Sequence, residues 1–231
     1  METLFPLLSP YELGLAALIA ILAGFVKGVV GFAMPLVFIS GLTIFMPPEL
    51  ALAGLIVPTL VTNAHQALRQ GMHAAVRSTI DFRVFLVCGV PVTFFALLQL
   101  GGYTFKLSRR NTRVEVVAGA VAGALGGLSG IWGPPTVAYL TALNTPKHEQ
   151  MRIQGVIYGL GAVALLFAHI GSGVLRAETI GFSLAMVPTA YLGMSIGMAF
   201  TDRIDQMAFR RATLAVLLVA GLNLIRRAWL G

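Results

Sequence analysis

Cysteine is nearly absent: Cys88 is the only one in 231 residues. An internal disulfide is excluded, and so is a metal site built on cysteines. Charge is scarce too. Asp, Glu, Lys and Arg make up 11% of the chain, whereas 57% is hydrophobic; an ordinary soluble domain carries about 25% charged residues. A water-soluble fold of this size could not hide so much apolar surface, so a soluble enzyme is ruled out and the bilayer becomes the solvent. Acids are missing from the middle of every apolar run. Glu2, Glu12, Glu49, Asp81, Glu115, Glu149, Glu178, Asp202 and Asp205 all lie at or near segment ends. Aspartyl intramembrane proteases, cation antiporters and divalent-metal transporters need buried carboxylates, and those classes are demoted. No GxxxxGK[ST] motif is present, so ATP drive would require another chain. A positive n-region with a small-residue cleavage site is also lacking, and no removable signal peptide is expected.

What is there begins with a net charge of +7. Its placement argues against nucleic acid. Of the 16 Lys and Arg, 15 flank apolar runs, in clusters such as Lys106, Arg109, Arg110 and Arg113. Flanking charges of this kind face lipid headgroups and set topology. The exception is Lys27, inside the apolar run from about Leu13 to Ile44.

The apolar segments are approximately 12–45, 50–68, 83–101, 114–143, 153–170, 180–200 and 212–229. A span needs roughly 20 apolar residues. The first and fourth segments are too long for a simple span, and Gly and Pro interrupt each in its middle. A shift of 99 residues aligns Ala23 with Ala122, Gly24 with Gly123, Gly28 with Gly127, Gly31 with Gly130, Pro35 with Pro134 and Pro47 with Pro146, without gaps. Shared Gly and Pro dictate backbone shape, so this pattern reads as a duplication with helix breaks at matching places. Close helix packing is the other use of such glycines, and Gly24/Gly28 and Gly123/Gly127 satisfy that spacing on their own. The expected fold is all-α and integral to the membrane. It has about seven spans, within a range of seven to nine, in two inverted repeats that each begin with a Gly/Pro-broken helix. The repeats run over 1–110 and 111–200, and 201–231 adds an extra C-terminal helix. If each long segment crosses once, eight Lys and Arg fall inside and seven outside; if both are hairpins the balance becomes six and nine. The first arrangement is favoured.

A break in a membrane helix frees backbone N–H and C=O groups, which must be buried in protein or line a watery cavity. The half-helix after each break starts around Phe32–Met34 and Ile131–Gly133. Pro35 and Pro134 then sit in the first turn, where a missing N–H is harmless. A helix N-terminus carries about half a positive charge and is a ready anion site. Gly31 and Gly130 are expected to line the cavity, because an anion approaching backbone N–H groups leaves no room for a Cβ. Lys27 adds a full charge one turn before Gly31. A lysine at the bilayer centre costs at least ~2.5–3.5 kcal/mol and needs a partner, for which an anionic substrate is the economical choice. The alternative is a shallow Lys27 that snorkels to the interface. Thr59, Thr62 and Asn63 follow Pro58; Gln154 and Tyr158 share a helix face; Arg152 lies near the start of that helix, and Trp132 in the second break. Each can complete an anion site, and each can equally be a packing hydrogen bond or interface anchor. His65 and His169 are candidates for titration near neutral pH.

The stretches Gly24-Phe-Val-Lys-Gly28-Val-Val-Gly31-Phe-Ala-Met-Pro35 and Gly123-Ala-Leu-Gly-Gly127-Leu-Ser-Gly130-Ile-Trp-Gly-Pro134-Pro135 resemble the breaks of the sulfite exporter TauE/SafE family of membrane permeases. Pro47-Pro48-Glu49-Leu-Ala51 and Arg69-Gln-Gly71 fit the stretches that follow the first break. The family has a denser glycine run at the first break, and a fourth span that is missing here between Tyr103 and Thr112. The resemblance implies a secondary transporter of the bacterial inner membrane that exports sulfite or a C2 sulfonate such as sulfoacetate. An anion channel and an uptake permease for another small carboxylate or inorganic anion are the competing readings. The expected substrate site comprises Lys27, Gly31, Phe32, Met34, Asn63, Gly130, Trp132, Gly133, Arg152, Gln154 and Tyr158, with Pro35, Pro134 and Pro135 shaping the breaks. No cofactor, metal or catalytic residue is expected. The partners are a small anion and the lipid bilayer, a homodimer being compatible with the sequence.

Overall fold

A computed structural model describes residues 8–81 and 133–230. The described residues form eight helices and no strand. They are α1 (Pro10–Val30), α2 (Met34–Leu42), α3 (Pro48–Leu68), α4 (Met72–Asp81), α5 (Gly133–Ala142), α6 (Lys147–Gly171), α7 (Ala177–Arg203) and α8 (Gln206–Leu230). Four of them, α1, α3, α6 and α7, are long and apolar enough to cross a membrane. The expected last segment, 212–229, is helical within α8. The segment 83–101, the stretch 103–112 and most of the second long segment lie outside the described residues.

Local sequence explains the helix ends. Ser9 and Glu12 cap α1 reciprocally, the Glu12 amide donating to Ser9 Oγ at 3.3 Å and the Ser9 amide to Glu12 Oε2 at 2.8 Å. Pro10 then fills the first turn. The run 12–45 is broken where Gly31 adopts a left-handed φ of 85° and its amide closes on Lys27 O. Ala33 is also left-handed at φ 70°, and α2 starts immediately after it, with Pro35 in its first turn. Helix α3 opens with Pro47 and Pro48. Pro58 in its middle removes the amide that would bond Gly54 O; the Ser183 hydroxyl of α7 reaches that carbonyl at 3.4 Å.

Helices α1 and α7 pack against each other more extensively than any other pair. A Cβ on Gly24 would lie 2.0 Å from Ala190 O, and one on Gly28 would lie 2.2 Å from Met194 O. The fit is mutual: on Gly193 it would meet Ile21 O at 2.0 Å and on Gly197 Phe25 O at 2.2 Å. Two small-xxx-small stripes therefore bring the backbones into contact, which is how apolar helices associate when lipid offers no hydrophobic drive. Gly24 and Gly28 thus take the packing role.

Two apolar cores flank this crossing. One joins the first half of α1 to α2, α3 and α7 through Ala16, Ala20, Phe38, Leu55 and Phe182. The other joins the end of α1 and Phe32 to α5 and α6 through Val137, Leu140, Ile153 and Ile157. Leu18, Leu22, Leu184, Leu192, Ile196 and Phe200 stand exposed on the outside, as the surface of a bilayer protein requires.

Candidate anion site at the broken helices

The break in α1 leaves its last carbonyls without amide partners. Side chains from three other helices supply donors. Thr201 Oγ1 of α7 lies 3.1 Å from Gly28 O and 2.7 Å from Val29 O. Gln66 Nε2 of α3 donates to Gly31 O at 3.0 Å and to Met151 O at 2.7 Å. The Gln154 amide of α6, oriented so that both ends find partners, donates to Val30 O and Gly31 O at 3.3 Å each. The buried kink is thereby closed. Sequence reasoning missed Gln66 and Thr201. Gln66 was within reach, because it continues the spacing Thr59, Thr62, Asn63 along one helical face.

One turn before the break, Lys27 is 2% exposed. The snorkelling alternative is not what the structure shows. The ammonium donates to Asn63 Oδ1 and sits 5.9 Å from the centroid of the Tyr158 ring, within range of a cation–π attraction. Asn63 Nδ2 donates to Tyr158 O at 3.0 Å, which points the Asn63 oxygen at the lysine. Among the described residues Lys27 has no carboxylate partner, and Asn63 Oδ1 is its one hydrogen-bond acceptor. An ammonium has three donors. The negative pole of α1 favours a cation in its last turn but leaves that capacity unused.

The two halves of the chain meet here. The Tyr158 hydroxyl donates to Gly133 O at 3.2 Å. A Cβ on Gly133 would lie 2.6 Å from the Phe32 ring, so the first break rests against the start of α5. Met34 Sδ lies 3.5 Å from Thr62 Oγ1. The space of a Gly31 Cβ is filled by the end of the Gln154 side chain at 1.9 Å and Met151 Sδ at 2.7 Å. No side chain caps the N-terminus of α2. Pro134 and Pro135 are helical, directly after Gly133, where the described part of α5 begins.

Lys27, Asn63, Tyr158 and Gly133 thus form one chain of contacts, and Gly31, Gln154, Phe32 and Met34 border it. Arg152 stands apart, bonded to Gln70 beyond the end of α3. It belongs to a polar seam at one end of the bundle. There Arg69 pairs with Asp202 at 2.6 Å, Gln70 donates to His148 O at 3.0 Å and Lys147 Nζ donates to Thr201 O at 2.9 Å. Gly130 and Trp132 lie outside the described residues. His65 packs edge-on to Tyr191, whose hydroxyl is 3.0 Å from His65 Nδ1. His169 Nδ1 lies 2.8 Å from Leu165 O in its own helix. No group of three or more His, Cys, Asp and Glu able to hold a metal occurs among the described residues.

An all-helical membrane protein with a cation buried beside a broken helix is a transporter-like architecture. Residues 94–224, more than half of the chain, match the family model "Sulfite exporter TauE/SafE". The chain belongs to the sulfite exporter TauE/SafE family, whose members are membrane transporters rather than enzymes. It is therefore a multi-pass membrane protein of a family that moves sulfite-type anions. Neither a curated protein nor a solved structure matches it.

Proposed function

We propose that this protein is a secondary transporter that exports a small sulfur-containing anion, sulfite or a C2 sulfonate, through a site between its two broken helices. The observation that carries the reading is the Lys27 ammonium, buried without a carboxylate and held by a single neutral oxygen at the break. An anion supplies what that ammonium lacks. The N–H groups at the start of α2, which no side chain caps, are proposed to add donors.

The same reading places two repeats, 1–110 and 111–200, in opposite orientations in the inner membrane of a bacterium, followed by an extra helix. Its support is that α3 and α6 start at Pro48 and Lys147, separated by the 99 residues of the glycine and proline alignment. Gly130 and Trp132 are assigned to the site as the partners of Gly31 and Ala33 under that alignment. Arg152 is proposed to meet the anion at the mouth of the path rather than beside Lys27.

Efflux of labelled sulfite from proteoliposomes tests the reading. Lys27→Gln is expected to slow efflux at least tenfold while the purified protein keeps its elution profile, and Lys27→Arg to retain part of the rate. Wild-type efflux from Lys27→Gln would sink the assignment.

A further inference from the structure

We infer that α1 with α7, and α3 with α6, form two bodies that part at one end of the bundle, with the Arg69–Asp202 pair and Lys147 as the latch between them; the inference rests on the anion-site reading above and gives that site its gate. Within each pair the backbones touch. The glycines of α1 and α7 interlock against Ala190, Met194, Ile21 and Phe25. Gly155 of α6 does the same against α3, where a Cβ would lie 2.5 Å from Ala67 N. Backbones in direct contact have no layer of side chains between them that could repack, so each pair moves as a unit. Polar bonds run within the pairs as well: Thr201 of α7 serves the carbonyls of Gly28 and Val29, and Asn63 and Gln66 of α3 donate to Tyr158 O and Met151 O.

Between the pairs, around the break, the links are made by the tips of side chains. α1 meets α3 through the Lys27 ammonium on Asn63 Oδ1 and through Gln66 Nε2, which donates to Gly31 O at 3.0 Å. At the end of the bundle α3 meets α7 through Arg69 and Asp202 at 2.6 Å. There α6 meets α7 through Lys147 Nζ, which donates to Thr201 O at 2.9 Å and to Ile204 O. The latch and the break share a turn of helix on both sides. Asp202 follows Thr201 directly, and Arg69 lies three residues after Gln66.

These links suit a joint that opens. The side chains of Arg69 and Asp202 are 34% and 41% exposed, and an exposed ion pair is weak, as a latch released in every cycle has to be. The apolar filling of the joint is adaptable too. Met151 of α6 clusters with Met194 and Met198 of α7 beside Phe209, and unbranched methionine side chains repack readily. Lys27 belongs to one body and its acceptor Asn63 to the other. An anion bound at that ammonium therefore lies on the boundary and is uncovered when the bodies part, as in carriers whose bodies rock about a central site.

Single thiols report the opening. In a Cys88→Ser background, Met151→Cys puts a thiol at the joint, where the native side chain is buried, and Met186→Cys puts one in the other core, nearer the start of α7. Labelling of the purified full chain by a membrane-impermeant maleimide is followed in time. Arg69→Gln together with Lys147→Gln is expected to speed labelling of Met151→Cys about threefold and to leave that of Met186→Cys unchanged. Asp202→Arg alone is expected to speed it as well, and adding Arg69→Asp, which re-forms the pair with its charges exchanged, to slow it again. An unchanged rate at Met151→Cys, an equal rise at both thiols, or a charge exchange that labels as fast as Asp202→Arg alone overturns the latch. Labelling needs no substrate. Wild-type efflux from Lys27→Gln, the result that sinks the anion site, therefore leaves the outcome at Met151→Cys to decide the latch by itself.

Discussion

Gly31 is held by two independent constraints. Its φ is 85° and its Cβ space is taken by Gln154. A non-glycine residue in the left-handed region costs about 1–3 kcal/mol, and the overlap adds to that. Gly31→Ala is therefore expected to destabilise the protein by at least about 2 kcal/mol. Gly14 lies inside α1 with nothing within 4 Å of its Cβ position, and Gly14→Ala is expected to gain up to about 1 kcal/mol. Thermal denaturation in one detergent compares the two, and equal midpoints would remove the packing account. A second residue-scale test concerns Thr201, whose hydroxyl serves the carbonyls of Gly28 and Val29. Thr201→Val is expected to lose about 0.5–2 kcal/mol, the range of hydrogen bonds between membrane helices, and Thr201→Ser almost nothing. The need for glycine at 31 was legible in the sequence, but the neighbour enforcing it was not. Gln154 reaches Gly31 across 123 positions, and no local pattern encodes which distant side chain fills a given gap.

Among elements, the crossing of α1 and α7 carries a reciprocal constraint. Gly28→Ala would put a Cβ 2.2 Å from Met194 O, and Gly197→Ala one 2.2 Å from Phe25 O. Each is expected to cost about 1–3 kcal/mol as overpacking. Because both push the same two backbones apart, the double variant is expected to lose less than the sum. A strictly additive result in a double-mutant cycle would show that the two contacts act separately. Helix starts were readable because proline and glycine act locally: the expected onset at Phe32–Met34 is an observed onset at Met34; the onset expected at Ile131–Gly133 reaches into residues outside the described ones. The capping network was not readable. Gln66 and Thr201 look like ordinary polar residues in apolar helices until the third dimension sets them on the carbonyls of a different helix.

Over the whole molecule, the charge map dictates how transport responds to voltage. Among the described residues Lys27 is the sole buried charge, and the sequence has no Asp or Glu deep in an apolar segment. Moving one anion out past a fixed lysine transfers one negative charge. An inside-negative potential is thus expected to accelerate efflux of a fully ionised sulfonate, and a pH gradient alone is expected to leave it unchanged. Proteoliposomes with imposed gradients measure both. Uphill movement driven by pH alone, persisting in His65→Ala and His169→Ala, would reveal a proton-binding residue that the charge map lacks.

The donor that closes the end of α1 has a consequence for biosynthesis. Thr201 follows Gly28 by 173 positions. At about 5–20 residues per second, roughly 10–35 s separate the emergence of the first helix from that of its hydroxyl partner. Throughout that interval the nascent α1 and α2 hold carbonyls that lipid cannot satisfy. They must wait against water or the insertion machinery and reach their final seat only when α7 arrives. Ribosome-arrested chains ending near residue 195 are expected to remain open to protease around Gly31, and chains long enough to deliver Thr201 into the membrane to become resistant.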